Sequence, residues 1–224
     1  EGVILIQPSE KSDFRMRFYN PDGNEVEMCG NGARCVARLA HEIGAAPEEM
    51  CFDTVAGVIS AEVLSTDQIR LTMTEPKGLR FNSELTITDQ IFSYHYVNSG
   101  VPHVVVEVED LEKFDIQSVG AAFRYHETFQ PNGTNANFIK ITGPDSLKIR
   151  TYERGVEAET LACGTGMVAA GLVAGSLAKV TTPVKITCAS GDILEVDYTQ
   201  TVNGIQNVTL TGPAVHVFNG EIEL

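Results

Sequence analysis

The chain has 224 residues, 43% of them hydrophobic, and carries 30 acidic against 16 basic side chains for a formal charge of −14. That length suits two modest domains or one large one, and an acidity spread along the whole chain excludes nucleic acid as a partner, because phosphate binding rests on a basic surface. No apolar run reaches the roughly 18 residues of a membrane helix, so no membrane role is expected.

No signal peptide is read ahead of the first strand-like segment. The cysteines are Cys29, Cys35, Cys51, Cys163 and Cys188, an odd number. They form neither a Cys-x-x-Cys pair nor a Cys/His cluster, so no metal site is expected. Reduced thiols in a cytoplasmic protein are the consistent reading.

Residues 3–7 and 15–20 read as strands, with a turn at Pro21-Asp22-Gly23-Asn24. Residues 32–43 read as a helix: Val36, Leu39, Ala40 and Ile43 recur at spacings of three and four, and Gly44 follows as a C-cap. Strands are expected at 58–64, 69–74, 85–88 and 92–97. Glu75-Pro76-Lys77-Gly78 breaks the pattern and is taken as a domain boundary, giving domains of residues 1–75 and 76–212, with 213–224 returning as a terminal strand.

A second cycle follows. It has a strand at 103–108, a short helix at 116–123, and strands at 138–142 and 147–152 joined by a Gly143-Pro144-Asp145 turn. Residues 163–179 read as a helix so rich in Ala and Gly that it should be buried on all sides. Strands at 184–187, 193–198, 207–211 and 215–218 complete the chain.

Strand, polar loop, Cys-Gly-x-Gly and helix thus occur once in each half, as Cys29-Gly30-Asn31-Gly32 and Cys163-Gly164-Thr165-Gly166. The expected fold is α/β of the α+β type, two pseudo-symmetric domains with the active-site cleft between them. A cysteine at a helix start lies beside unpaired N–H groups and the positive end of the helix dipole, which favours a thiolate. The N–H groups of Gly30, Asn31, Gly164 and Thr165 would cradle a substrate carboxylate. Two opposed thiols, one ionised, can take a proton from one face of a carbon and deliver one to the other. That is racemase or epimerase chemistry without a cofactor.

An isolated Cys is more often a small buried hydrophobe, the reading kept for Cys35, Cys51 and Cys188. Asn20, His103, Asn135, Glu153 and Arg154 stand around the two motifs. Arg154 suits bidentate carboxylate binding, and Glu153 an ammonium or the tuning of a thiol. On position alone, a lone His opening a strand reads as structural.

At these residues the chain resembles the diaminopimelate epimerase family. The likeness runs through Tyr19-Asn20-Pro21-Asp22-Gly23-Asn24, Met28-Cys29-Gly30-Asn31-Gly32, Gly100-Val101-Pro102-His103 and Thr134-Asn135-Ala136-Asn137-Phe138. It continues in Tyr152-Glu153-Arg154-Gly155, Ala162-Cys163-Gly164-Thr165-Gly166 and the closing Gly212-Pro213-Ala214-Val215-His216. The resemblance implies an isomerase of L,L- and meso-diaminopimelate that needs no cofactor, in lysine and peptidoglycan precursor synthesis. It implies a homodimer, and in each domain a mixed sheet wrapped around a central helix.

By the same resemblance Cys29 and Cys163 are the base and acid, and His103 and Glu153 tune them. Gly30, Asn31, Gly164 and Thr165 bind the reacting carboxylate, and Asn20, Asn135 and Arg154 with Glu153 hold the distal end. The family's opening strand with its Gly-Leu-Gly-Asn-Asp-Phe segment, about 40–50 residues of the first domain, is not in this sequence. Proline racemases and hydroxyproline epimerases, typically with Cys-Gly-His at the first site where Asn31 stands here, are the nearest rivals. An amino-acid-binding protein without chemistry is the rival from another class.

Overall fold

A computed structural model describes residues 2–26, 29–87 and 89–221. The chain divides into two compact units, one of residues 1–71 with 212–224 and one of residues 72–211.

In the first unit, β1 (Val3–Gln7), β2 (Phe14–Tyr19), β4 (Glu49–Thr54), β5 (Gly57–Val63) and β6 (Gln68–Thr72) lie side by side in that order, with the short β3 (Glu25–Val26) beside β2. β2 and β4 are parallel, setting Phe14 opposite Phe52. Their rings stack at 4.8 Å, both fully buried. α1 (Gly30–Glu42) lies against β1, β2 and β5.

The buried stripe of α1 is Ala33, Val36, Ala37 and Ala40, not the Val36, Leu39, Ala40 and Ile43 face that apolar spacing predicts; Leu39 and Ile43 are exposed. Small side chains let the helix approach the sheet closely, which turns the larger ones outward. The helix ends as its sequence predicts. Gly44 takes φ +70°, its N–H bonds to the His41 carbonyl, and the Ala45 N–H reaches back to Ala40, a Schellman ending.

The second unit orders its strands β15 (Gly204–Pro213), β14 (Ile193–Thr201), β13 (Val184–Thr187), β11 (Ser146–Glu153), β10 (Asn135–Gly143), β9 (Pro102–Glu107), β8 (Gln90–Asn98) and β7 (Lys77–Ile87), with β12 (Ala158–Thr160) paired to the end of β11. Pairs β9–β10 and β11–β13 are parallel, and β7–β8, β8–β9, β10–β11, β11–β12, β13–β14 and β14–β15 are antiparallel. The sheet has two apolar faces. Val105, Ile139 and Ile149 face one core, with α3 (Gly164–Ser176); Val104, Val106, Ala136, Phe138 and Tyr152 face the other, with α2 (Ile116–Tyr125).

α3 is buried all round from Gly166 to Ala174, as its small-sided composition requires. It stops at Ser176, short of the expected Lys179. Ala178 turns left-handed at φ +56°, and the Ala178 and Lys179 N–H groups bond back to Gly175 and Ala174.

Three other expectations differ. Lys77 and Gly78, read as part of a break, begin the long strand β7; Thr88, the expected end of its second half, lies outside the described residues. Residues 49–54 form a strand that the sequence reading did not include. Residues 215–218 form no strand, and Val215, Val217 and Phe218 are all exposed. Their alternation has no neighbouring strand to pair with among the described residues. The segment is anchored just before that point, where the Ala214 N–H bonds to the Asp67 carbonyl at 2.8 Å.

Gly120 of α2 packs directly on Tyr152, which is 2% exposed, and a Cβ at Gly120 would lie 2.8 Å from the Tyr152 Cγ. Gly120→Ala gains about 1 kcal/mol of helix propensity but overpacks this contact. A net loss of about 1–2 kcal/mol is expected, measured by urea unfolding; a more stable variant would contradict the packing.

Candidate active site

Cys29 and Cys163 are each the N-cap of a thirteen-residue helix, with extended backbone (φ −133°, ψ 121° and φ −127°, ψ 107°) and no capping bond from the side chain. The first helical bonds are Ala33 N–H to the Cys29 carbonyl at 2.8 Å and Met167 N–H to the Cys163 carbonyl at 2.9 Å. The N–H groups of Gly30, Asn31, Gly164 and Thr165 therefore have no acceptor within their own helices. Each helix start presents donors and a positive dipole end beside a sulfur. Cys29 is half-buried and Cys163 buried, and none of the five cysteines is in a disulfide.

In the first unit, Asn20 is exposed at the end of β2. Its N–H bonds to the Asn24 carbonyl at 3.0 Å and its carbonyl accepts from the Gly23 N–H at 2.9 Å, closing the expected turn. The Asn31 Oδ1 accepts from the Arg34 Nη2 at 3.1 Å, and the Arg34 Nε donates to the Pro213 carbonyl at 3.2 Å. Arg34 is 5% exposed, so the start of α1 is braced by a buried guanidinium. The sequence reading gave this residue no role.

In the second unit, parallel pairing sets Asn135 opposite His103, and antiparallel pairing sets Asn137 opposite Thr151. All four are buried polar residues. Asn135 is spent largely on the scaffold: its Nδ2 donates to the Pro102 carbonyl at 3.1 Å, and its Oδ1 accepts from the Arg154 N–H at 2.8 Å. The Arg154 Nη1 donates to the Asn132 carbonyl at 2.7 Å. Glu153, at the end of β11, accepts from the Thr160 Oγ1 at 2.8 Å. The loop after β11 is further held by Glu157, which pairs with Arg124 of α2 at 3.0 Å.

His103 is fully buried. Its Nε2 lies 3.0 Å from the Thr165 Oγ1, and its Nδ1 lies 3.1 Å from the Asn137 Nδ2. The Thr165 Oγ1 in turn lies 3.7 Å from the Cys163 Sγ. His103 thus reaches the sulfur through the Thr165 hydroxyl. Burial, and secondarily the Arg154 charge, push its imidazole down to about 3. Ser99, 1% exposed, donates to the Thr165 carbonyl at 2.8 Å and fixes the first turn of α3.

The structure therefore gathers Cys163, Gly164, Thr165, His103, Asn135, Glu153 and Arg154 around one end of the second unit. Cys29, Gly30, Asn31 and Asn20 belong to the first. Among the described residues no group of three or more His, Cys, Asp or Glu is placed to hold a metal, and no helix is long and apolar enough to cross a membrane.

The fold is shared with solved structures. A phenazine biosynthesis protein of the PhzF family from Bacillus anthracis superposes with a TM-score of 0.77 at 17% identity, covering 100% of this chain and 85% of that one. A probable proline racemase from Agrobacterium radiobacter gives 0.70 at 18% identity, covering 100% and 76%. At such identities the likeness concerns the fold alone.

Sequence takes the matter further. The family model for diaminopimelate epimerase matches residues 1–79 and 95–217. A diaminopimelate epimerase of Aquifex aeolicus is 42% identical over 228 aligned positions, covering 99% of this chain and 80% of its own length. Those of Hydrogenobaculum sp. and Archaeoglobus fulgidus are 43% and 38% identical, covering 98% and 100% of this chain and 79% and 81% of their own. The chain belongs to the diaminopimelate epimerase family.

The histidine site sets a pH dependence. An ordinary unfolded histidine titrates near 6.5, and folded His103 near 3. Between those values the unfolded chain binds the extra proton, so His103 contributes a loss of stability as pH falls from about 6.5 toward about 3. The His103 ring resonances should show no titration between about pH 5 and 8. A midpoint inside that range would contradict a buried neutral ring.

Proposed function

We propose that this protein interconverts L,L- and meso-diaminopimelate by proton transfer at one α-carbon, with Cys29 and Cys163 as its two proton carriers. The observation that carries this reading is the repeated N-cap: two cysteines, each at the start of a buried or half-buried helix, each followed by Gly-x-Gly. In this account the two helix starts face one substrate. The N–H groups of Gly30, Asn31, Gly164 and Thr165 hold the reacting carboxylate, where charge develops as the proton leaves.

The α-hydrogen departs as a proton to the thiolate, and its bonding electrons stay on the carbon, delocalised into the carboxylate. The opposite thiol gives its proton to the other face. The first sulfur ends as a thiol and the second as a thiolate, so the two protonation states are exchanged at each inversion and no redox change occurs. Such a site must be dry, because water would compete for the carbanion and weaken every donor.

Two amino-acid ends distinguish diaminopimelate from proline. Arg154, Asn20, Asn135 and Glu153 are assigned to the distal end. Asn135 retains one N–H beyond its bonds to Pro102 and Arg154, and Glu153 keeps carboxylate acceptor capacity beyond Thr160. Glu153 is also assigned, with His103, to tuning the thiols. A homodimer in the cytoplasm completes the proposal; cysteines outside any disulfide agree with that compartment.

Incubation with diaminopimelate in deuterium oxide tests it. Deuterium should enter an α-position, and Cys29→Ser and Cys163→Ser should each lower kcat by about 10²–10⁴-fold. An amino-acid-binding protein without chemistry would show no exchange, and undiminished turnover in either variant would remove the two-thiol mechanism.

A further inference from the structure

We infer that Asn137 is a positioning residue: it holds His103 with its proton on Nε2 and thereby turns the Thr165 hydroxyl into a donor toward the Cys163 sulfur. The inference rests on the proposed role of Cys163 and concerns how that sulfur is prepared.

The starting point is a fixed direction. The Asn137 side chain meets three partners: the Val104 carbonyl at 2.8 Å, the His103 Nδ1 at 3.1 Å and the Thr151 Oγ1 at 3.0 Å. A backbone carbonyl can only accept a hydrogen bond, so the amide nitrogen must face Val104, and a flipped amide would set oxygen against oxygen. The two hydrogens of that nitrogen then go to Val104 and to His103, and the Oδ1 accepts from Thr151. The His103 Nδ1 is consequently an acceptor and carries no proton. A neutral imidazole must then bear its hydrogen on Nε2, which donates to the Thr165 Oγ1. A hydroxyl that accepts from His103 has its own hydrogen available for the next atom, the Cys163 sulfur at 3.7 Å. Every link from Val104 to Cys163 is thus oriented by one carbonyl that cannot reverse.

The sheet explains why the arrangement is stable. Val105, Ile139 and Ile149 place one face of β9, β10 and β11 against α3, and strand alternation sets His103, Asn137 and Thr151 on that same face. They are a polar patch at the end of an apolar surface, each 4% exposed or less. Gly166 is the second sign of a built feature. A Cβ there would collide with the Asn137 Oδ1 and would lie 3.3 Å from the Cys163 Sγ, so the first turn of α3 sits directly on the amide. The charged group acting on His103 from outside this chain of bonds is Arg154.

The test uses protein labelled with nitrogen-15 in histidine, with the His103 signals assigned by their loss in His103→Gln. The wild-type spectrum should show His103 protonated on Nε2 and bare on Nδ1. Asn137→Asp places an acceptor opposite Nδ1 and should move a proton onto it. A second arm measures alkylation of Cys163 in a Cys29→Ser background. Thr165→Val should slow it about tenfold near neutral pH, the factor for one unit of thiol pKa, and Thr165→Ser should restore the rate. Adding Asn137→Asp to Thr165→Val should slow it no further.

A wild-type His103 protonated on Nδ1, a proton that stays on Nε2 in folded Asn137→Asp as a merely structural Asn137 would leave it, or a Thr165→Val rate equal to the parent overturns the inference. If Asn137→Asp does not fold, the wild-type spectrum and the Thr165 pair still decide. Neither readout uses turnover, so absence of deuterium exchange would remove the proposed function while leaving this inference separately scored.

Discussion

An α-helix cannot satisfy the N–H groups of its own first turn, and both Cys29 and Cys163 sit where that deficit begins without capping it. Most helices answer the deficit with Ser, Thr, Asp or Asn at the N-cap; a cysteine leaves it open to a ligand. The rest of the structure serves this vacancy of acceptors. Small residues bring each helix close to its sheet, Schellman turns close the far ends at Gly44 and Ala178, and buried side chains brace the starts.

The braces differ in kind. At α1 the support is a cation: Arg34 ties the Asn31 side chain to the Pro213 carbonyl. At α3 it is a neutral network, Ser99 to the Thr165 carbonyl and His103 to the Thr165 hydroxyl. Burial keeps His103 uncharged, so it can accept at one nitrogen and donate at the other. A fully satisfied network of this sort costs little to bury, whereas losing one member would strand the others. The consequence is a Cys163 sulfur whose neighbours are fixed in place, the condition that the proposed electrostatic assistance requires.

Much of this was legible in the chain. The duplicated Cys-Gly-x-Gly, the Gly44 cap and the all-round burial of α3 follow from local chemistry, and the structure agrees on each. The place of Asn137 is not legible locally, because it depends on a parallel register that joins β9 to β10 across a long stretch of intervening chain. Local sequence carries no record of such pairing. The face of α1 was misread because Leu39 and Ile43 weigh more than alanine in any count of apolar spacing, yet alanine is what close packing selects. Residues 215–218 alternate like a strand, but alternation without a partner strand makes no ladder.

The central claim is that the two N-cap thiols address one carbon atom. Reaction of the native protein with dibromobimane, which becomes fluorescent when it bridges two nearby thiols, tests this directly. Peptide mapping should find the bridge between Cys29 and Cys163, with bound diaminopimelate protecting both. A bridge confined to other cysteines, with Cys29 and Cys163 each modified singly, would contradict it.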